Sequence, residues 1–202
     1  MSISRRAFVF TLAALAAVSA TAAHAEHRAL VLDPAASQIH FTLGATGHDV
    51  EGGMTLKAGR IAFDPATGAA SGEIVLDLKS ADTGSKGRDK DMHEEVLETG
   101  KYPVAVFRAE KLHGTVAPSG PSQVTLDGTL SFHGSDHKMS LPAKIEIQNG
   151  RAKVDTRIQI PYVQWGLHDP SIMILRVAKV VDVEVHAEGS LETAGGAPAG
   201  MQ

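Results

Sequence analysis

The chain has 202 residues, of which 43% are hydrophobic and 4% aromatic, and its 19 basic and 23 acidic side chains give a net charge of −4. This balance argues against a nucleic acid partner, because polyanion binding needs a basic face and the sequence has no cluster of Lys and Arg. The chain has no cysteine, which excludes a disulfide framework and a lipid anchor on cysteine, so its stability must come from core and sheet.

The N-terminal segment resembles an export signal. Arg5 and Arg6 precede an apolar run from Ala7 to Ala23, and Ala23-His24-Ala25 offers small residues for signal peptidase. We therefore expect a signal peptide over residues 1–25 and a periplasmic protein that begins at Glu26. The paired arginines also fit the twin-arginine export pattern, with ordinary Sec export as the alternative. No later apolar run approaches the roughly 20 residues that cross a bilayer, so we expect no transmembrane segment in the mature chain.

Residues 26–192 read as one domain of alternating strands. Apolar side chains recur at every second position, which is typical of strands with one buried and one solvated face. The predicted inner faces are Ile39, Phe41, Leu43 and Ala45; Leu126, Gly128, Leu130 and Phe132; Leu141, Ala143, Ile145 and Ile147; Val154, Thr156, Ile158 and Ile160; and Val181, Val183, Val185 and Ala187.

Turn signals separate these runs at intervals of about ten residues, which predicts an antiparallel meander. Asn149-Gly150 is the strongest signal, because both residues tolerate the positive φ of a two-residue hairpin. Eight or so strands would leave adhesive edges unless the sheet closed on itself or doubled. We therefore predict an all-β fold, a closed eight-stranded antiparallel barrel, with an open sandwich as the alternative.

Two segments break the strand pattern. Lys86 to Glu98 predicts a short helix with an acidic first half and an apolar face that includes Met92, Val96 and Leu97. Tyr162 to Arg176 predicts a long loop with a short apolar turn. Residues 193–202 consist mainly of Gly, Ala and Pro, so we expect a disordered tail there.

Five short sequence blocks follow one another along the chain: Asp33-Pro34-Ala35-Ala36-Ser37-Gln38-Ile39-His40-Phe41, Gly59-Arg60-Ile61-Ala62-Phe63-Asp64-Pro65, Arg88-Asp89, Tyr102-Pro103 with Phe107, and Gly128-Thr129-Leu130-Ser131-Phe132-His133-Gly134. Together and in this order, they resemble the blocks of the YceI-like, polyisoprenoid-binding family. The resemblance implies an exported, lipocalin-like barrel with one helix. It also implies an elongated apolar interior that holds an isoprenoid chain, such as a quinone tail or a polyprenyl lipid, and needs no cofactor.

The residues themselves support an incompletely filled interior. An eight-stranded barrel is wide enough either to be filled by side chains or to hold one slender ligand. The predicted inner face mixes bulky side chains with small or flexible ones. Ordinary core packing remains the alternative interpretation. The candidate lipid-contacting residues are Phe41, Leu43, Met54, Phe63, Leu76, Met92, Leu97, Phe107, Leu130, Phe132, Leu141, Ile160 and Trp165. For Trp165, the alternative interpretation is a hydrophobic plug that seals the core at the barrel end.

Polar candidates cluster in the two irregular segments. Arg88, Asp89, His93 and His168 are placed where they could meet a polar head group at the tunnel mouth, although a solvated helix face explains the same charges. His93, His133 and His137 suggest an alternative function, a metal-binding envelope protein. A third possibility is a filled barrel that binds a protein partner through its rim.

Catalytic signatures are absent from the sequence. It contains no Gly-x-Ser-x-Gly elbow, no phosphate-binding glycine loop before a helix and no His-Glu-x-x-His motif. We therefore expect a periplasmic carrier of an isoprenoid or quinone-like lipid that is not an enzyme, with a homodimer as one option for its assembly.

Overall fold

The computed structural model describes residues 27–193, which form a closed barrel of eight antiparallel strands. Each strand pairs with its neighbours in the chain, and β1 closes the barrel against β8. The strands are β1 Arg28–Leu43, β2 Val50–Phe63, β3 Ala70–Asp82, β4 Val104–His113, β5 Gly120–Phe132, β6 Ser135–Gln148, β7 Arg151–Ile160 and β8 Val181–Thr193. The predicted closed barrel is confirmed. The predicted signal peptide and residues 194–202 of the predicted tail lie outside the described residues, whereas Thr193, which was included in that tail, is the last residue of β8.

Alternation of apolar and polar residues sets the inner face of the wall, as the sequence predicts. Along β5, for example, Val124, Leu126, Leu130 and Phe132 are buried, whereas the intervening side chains are half-buried or exposed. The β6–β7 hairpin turns at Asn149 and Gly150, with φ values of 51° and 76°. These positive values are the ones that a two-residue hairpin requires.

The antiparallel meander gathers its connections at two opposite ends. One end, here called the helical end, carries residues 44–49, 83–103, 133–134 and 161–180. The opposite end, here called the packed end, carries residues 64–69, 114–119 and 149–150. The predicted helix and the predicted long loop therefore lie at the same end of the barrel.

The predicted helix divides into two parts. An α-helix, α1, covers Lys86–Asp91, and a π-helical turn covers Met92–Val96, which the Leu97 amide closes by donating to the Met92 carbonyl at 2.8 Å. Within residues 27–193, no helix combines the length and the apolar character that are needed to cross a bilayer.

Candidate functional site

The barrel encloses a cavity of about 230 Å³ that all eight strands line. Almost every lining side chain is apolar, with Ser37, Thr156 and Tyr162 as the polar members. On β8 alone the lining runs from Val181 to Ala187, about 20 Å of strand. Strand tilt in a barrel of this kind shortens this to about 15 Å along the axis. The cavity is therefore an elongated slot for an apolar ligand.

Eleven of the thirteen side chains proposed from sequence as lipid contacts line this cavity. They are Phe41, Leu43, Met54, Leu76, Met92, Leu97, Phe107, Leu130, Phe132, Leu141 and Ile160. The structure brings them together as one continuous surface. Their contact with a lipid stays a prediction.

Phe63 and Trp165 lie elsewhere. Phe63 is buried at the last residue of β2, at the packed end, and is absent from the cavity wall. Trp165 packs on the helical end, edge-on to Phe132 at 6.3 Å between ring centroids and stacked on His137 at 3.9 Å. This arrangement agrees with the second interpretation of Trp165, a plug at the barrel end.

Two of the phenylalanine rings lie along the wall of the lumen because glycines stand beneath them. A Cβ atom on Gly52 would come within 2.2 Å of Phe41 Cζ and 2.7 Å of the Asp82 carbonyl oxygen. One on Gly128 would come within 2.5 Å of Phe107 Cζ and 2.2 Å of the Arg108 carbonyl oxygen. Real side chains do not approach so closely, so each ring occupies space that any other residue would fill. The glycines therefore keep the rings from projecting farther across the barrel, which leaves the slot open.

The packed end closes the slot. Ile61, Phe63, Leu112, Ile147 and Ala152 are each less than 9% exposed there, and none of them lines the cavity. At the helical end, by contrast, the cavity is bounded by side chains of the π-turn and of the loop after β7. A ligand would therefore enter past the segments 83–103 and 161–180.

The π-turn forms part of the lid over the slot. Met92, Val96 and Leu97 all reach the cavity, and all three are half-buried. In an ordinary α-helix, residues five apart diverge, whereas the i to i+5 bond of a π-turn brings Met92 and Leu97 onto one face. Such turns occur frequently at functional sites.

The charged residues proposed as head-group contacts instead hold this lid to the barrel. Asp89 accepts hydrogen bonds from the amide of Thr83, at 2.8 Å, and from its hydroxyl. Arg88 Nε donates to the same hydroxyl at 2.8 Å and Nη2 donates to the Thr83 carbonyl. The hydrogen bond from the Thr83 hydroxyl is the main cause that lowers the pKa of Asp89 below its ordinary value.

His93 also holds the lid to the barrel, and we call the hydrogen-bonded group of Thr83, Arg88, Asp89 and His93 the clasp. Its Nε2 lies 2.9 Å from the Ala81 carbonyl and its Nδ1 lies 3.2 Å from Thr99 Oγ1. A neutral ring that donates from Nε2 and accepts at Nδ1 satisfies both partners. His168 is exposed on the loop after β7. None of the four proposed head-group residues lines the cavity, and the first three have structural partners of their own.

The three histidines of the metal hypothesis have separate environments. His133 Nε2 lies 2.7 Å from Glu98 Oε2 and its ring packs on Tyr102, while His137 stacks on Trp165. Among residues 27–193, no group of three or more His, Cys, Asp or Glu side chains is placed to hold a metal ion. The structure gives the metal hypothesis no support, and the open slot argues against a filled barrel.

Several lining residues were not selected from the sequence. On β3, Ile74 and Leu78 flank Leu76 at every second position, so the alternation itself carried the signal. Tyr162 and Leu167, in the loop after β7, also reach the slot. No periodic pattern marks those two, because irregular backbone has no fixed inner face.

Comparison with known proteins agrees with this architecture. The family model of the YceI-like domain matches residues 30–189. Two solved structures share the fold, each with a TM-score of 0.62 and 19% sequence identity. The match to BcnA of Burkholderia cenocepacia covers 78% of this chain and 98% of the BcnA chain. The match to a polyisoprenoid binding domain from Saccharophagus degradans covers 81% of this chain and 98% of that domain's chain. No curated protein is detectably similar in sequence. Because the matched domain spans most of the barrel, the chain belongs to the YceI-like family.

Proposed function

We propose that this protein is an exported carrier that holds an isoprenoid or similar long apolar lipid in its barrel and catalyses no reaction. The observation that carries the proposal is the apolar slot of about 230 Å³ inside a closed barrel. Soluble domains ordinarily pack their interiors to the density of organic crystals, so an elongated void of this kind needs an explanation. A slender apolar ligand supplies one.

The energetics suit such a ligand. Each methylene group transferred from water into an apolar interior contributes about 0.8 kcal/mol, so a five-carbon isoprene unit contributes about 4 kcal/mol before ordering costs. A few units therefore suffice for tight binding without any polar contact. The scarcity of polar lining residues favours a hydrocarbon chain over a polar metabolite.

The slot is smaller than the 300–1,000 Å³ that is typical of pockets for small molecules, which restricts how the ligand is held. Three unbranched methionines, Met54, Met92 and Met139, line it, and such side chains readily adopt other rotamers. We propose that these side chains and the π-turn shift when a chain of several isoprene units enters.

The polar end of the ligand would lie at the helical end, near His137 and Trp165. His137 lies on the inward face of β6, two residues before Met139, which lines the slot. Its Nε2 atom is buried and has no hydrogen-bond partner among residues 27–193. His137, like Arg88 and Asp89, is not part of the cavity wall, but its partnerless nitrogen sets it apart from those two residues. A quinone carbonyl or a hydroxyl group could satisfy this nitrogen, so we propose His137 as the head-group contact in their place.

Two independent considerations support an exported isoprenoid carrier. Arg5, Arg6 and the apolar run after them are typical of an export signal, which implies the periplasm as the location. In addition, the fold matches that of the Saccharophagus degradans protein, which is described as a polyisoprenoid binding domain.

Purification without detergent, followed by organic extraction and mass spectrometry, tests the proposal. We expect one class of polyprenyl or quinone lipid at close to one molecule per protein. If no lipid is extracted and the purified protein also fails to bind added ubiquinone or polyprenol, the proposed function is wrong.

A further inference from the structure

An apolar finger, residues 172–175, projects from the helical end into solvent. The exposed fractions are 66% for Ile172, 93% for Met173, 90% for Ile174 and 41% for Leu175. Apart from Val180, these four account for every exposed large hydrophobic residue in the part of the chain that the structure describes. Exposure of large apolar side chains is thus confined to one loop, and contiguous exposed apolar surface marks interaction sites.

The finger is a tight turn closed by backbone hydrogen bonds. The Ile172 amide donates to the Leu175 carbonyl at 3.0 Å, and the Leu175 amide donates back to the Ile172 carbonyl at 2.7 Å. Met173 at the tip has a φ of 31°, in a region that usually favours Gly or Asn. A polar turn residue would fit this backbone with less strain, so the methionine side chain at the tip has no explanation in the turn itself.

The base of the finger is anchored to the barrel. The Thr46 amide donates to the Arg176 carbonyl at 2.9 Å, and the Arg176 amide donates to Thr46 Oγ1 at 3.0 Å. Two residues farther on, the Ala178 carbonyl accepts from the buried Tyr162 hydroxyl at 2.8 Å. These bonds hold the apolar tip away from the barrel wall.

The shape and surroundings of the finger favour a lipid surface as its partner. A protruding tip of aliphatic side chains needs a deep apolar pocket on a protein partner, whereas it enters the interface of a bilayer directly. The two largest grooves described outside the lumen do not suit such a tip on a second copy, since charged residues border them, Arg157 and Glu184 in one and Arg60 and Glu73 in the other.

Charge near the tip points the same way. Arg176 follows the finger directly and is exposed, and three residues farther on the exposed Lys179 pairs with Asp169 at 3.6 Å. Basic side chains beside an inserted apolar group strengthen binding to anionic lipid head groups.

We propose that residues 172–175 insert into the surface of a lipid bilayer and so place the mouth of the barrel against the membrane. The finger and the ligand entrance share the helical end, and residues 161–180 contribute both the finger and the slot-lining Tyr162 and Leu167. Docking through this segment therefore brings the entrance to the phase where an apolar lipid resides. This inference rests on the proposed function for its purpose, but the docking itself is measurable without a cargo.

The test compares the wild type with a double variant, Met173→Ser with Ile174→Ser, and with a matched control, Met173→Leu with Ile174→Val, which keeps the tip apolar. Each chain is used as the expressing cell processes it, with its N-terminus verified by mass spectrometry. Flotation with vesicles of phosphatidylcholine and phosphatidylglycerol measures membrane binding. We expect the serine variant to bind at least about tenfold more weakly and the control to bind like the wild type.

Two further measurements make the result decisive. Thermal unfolding must be equal in all three proteins, as expected for exposed positions, and binding of ubiquinone or polyprenol in vesicle-free solution reports the slot separately. Equal flotation of the serine variant and the wild type overturns the docking proposal. The proposal is also wrong if analytical ultracentrifugation shows that the wild type is a dimer, that the serine variant is not, and that this difference explains the weaker flotation. If the wild type does not bind ubiquinone or polyprenol in vesicle-free solution, the proposed function is wrong, while the flotation result remains valid.

Discussion

Filling the slot from within is the sharpest perturbation of the proposed site. Ala105 lies on β4, is 3% exposed and lines the cavity. The substitution Ala105→Phe adds six ring carbons to the space that the ligand would occupy. Ala152 provides a matched control, because it is an equally small inward residue, 1% exposed, that lies in the packed end and outside the cavity wall.

We expect Ala105→Phe to weaken lipid binding with little effect on stability, and Ala152→Phe to lower stability. The ring at position 105 displaces about one five-carbon isoprene unit, worth about 4 kcal/mol or roughly a thousandfold in affinity. Because it enters open space, we expect the free energy of unfolding to change by less than about 1 kcal/mol. The same ring at position 152 overpacks a dense core, so we expect a loss of about 1–3 kcal/mol.

Urea unfolding monitored by circular dichroism gives the stabilities, and titration with a fluorescent polyprenol analogue gives the affinities. The reasoning fails if Ala105→Phe destabilises the barrel as much as Ala152→Phe, since the lumen would then be solid. It also fails if Ala105→Phe binds the analogue as well as the wild type does.

Three further substitutions test the wall, the clasp and the loop. Gly52→Ala forces a methyl group against the Phe41 ring, so we expect thermal unfolding to show a loss of about 1–3 kcal/mol and lipid titration to show weaker binding. For Asp89, the lowered folded-state pKa means that its stabilisation is complete above the ordinary value of 3.8 and disappears as pH falls through the lowered value. Asp89→Asn should therefore lower the urea midpoint at pH 7 and match the wild type at strongly acidic pH. Tyr162→Phe removes a hydrogen bond worth about 1 kcal/mol, so amide hydrogen exchange in residues 171–180 should accelerate.

Each of these expectations has a contradicting result. An unchanged affinity in Gly52→Ala would show that the Phe41 ring does not border the ligand. A stability difference between wild type and Asp89→Asn that persists in strong acid would exclude the carboxylate as its source. Unchanged amide exchange in residues 171–180 of Tyr162→Phe would show that the Tyr162 hydroxyl does not hold this segment. In the wild type, burial raises the pKa of Tyr162 to about 12, so a phenol at this position that titrates near 10 would contradict its burial.

The sequence predicted the barrel wall well because alternation depends only on local geometry. Phe107 and Leu130 were assigned inward and line the slot, and closure followed from the need to satisfy strand edges. The position of a residue along the barrel axis could not be predicted, because a period of two distinguishes the inner face from the outer face but not one end of the barrel from the other. Phe63 is therefore buried in the core, as the alternation predicts, but lies outside the cavity wall.

The irregular segments limited the prediction of the site. In the sequence, Arg88 and Asp89 are charged residues that could contact a ligand. In the structure both form hydrogen bonds with Thr83, and their spacing in the sequence does not predict this partner. The sequence predicts a short apolar turn within Tyr162 to Arg176, but it does not predict that this turn is exposed. Whether a loop residue is covered depends on what the rest of the fold places above it.

The proposed function depends on a lumen that the side chains of the closed barrel leave open for a lipid. A crystal structure of the protein purified without detergent, at a resolution that resolves ligand density, would show whether the lumen is occupied. We expect continuous elongated density from Leu32 and Ala187 to the π-turn, together with an extractable apolar lipid. A lumen occupied throughout by protein side chains, with no extractable lipid, would contradict it.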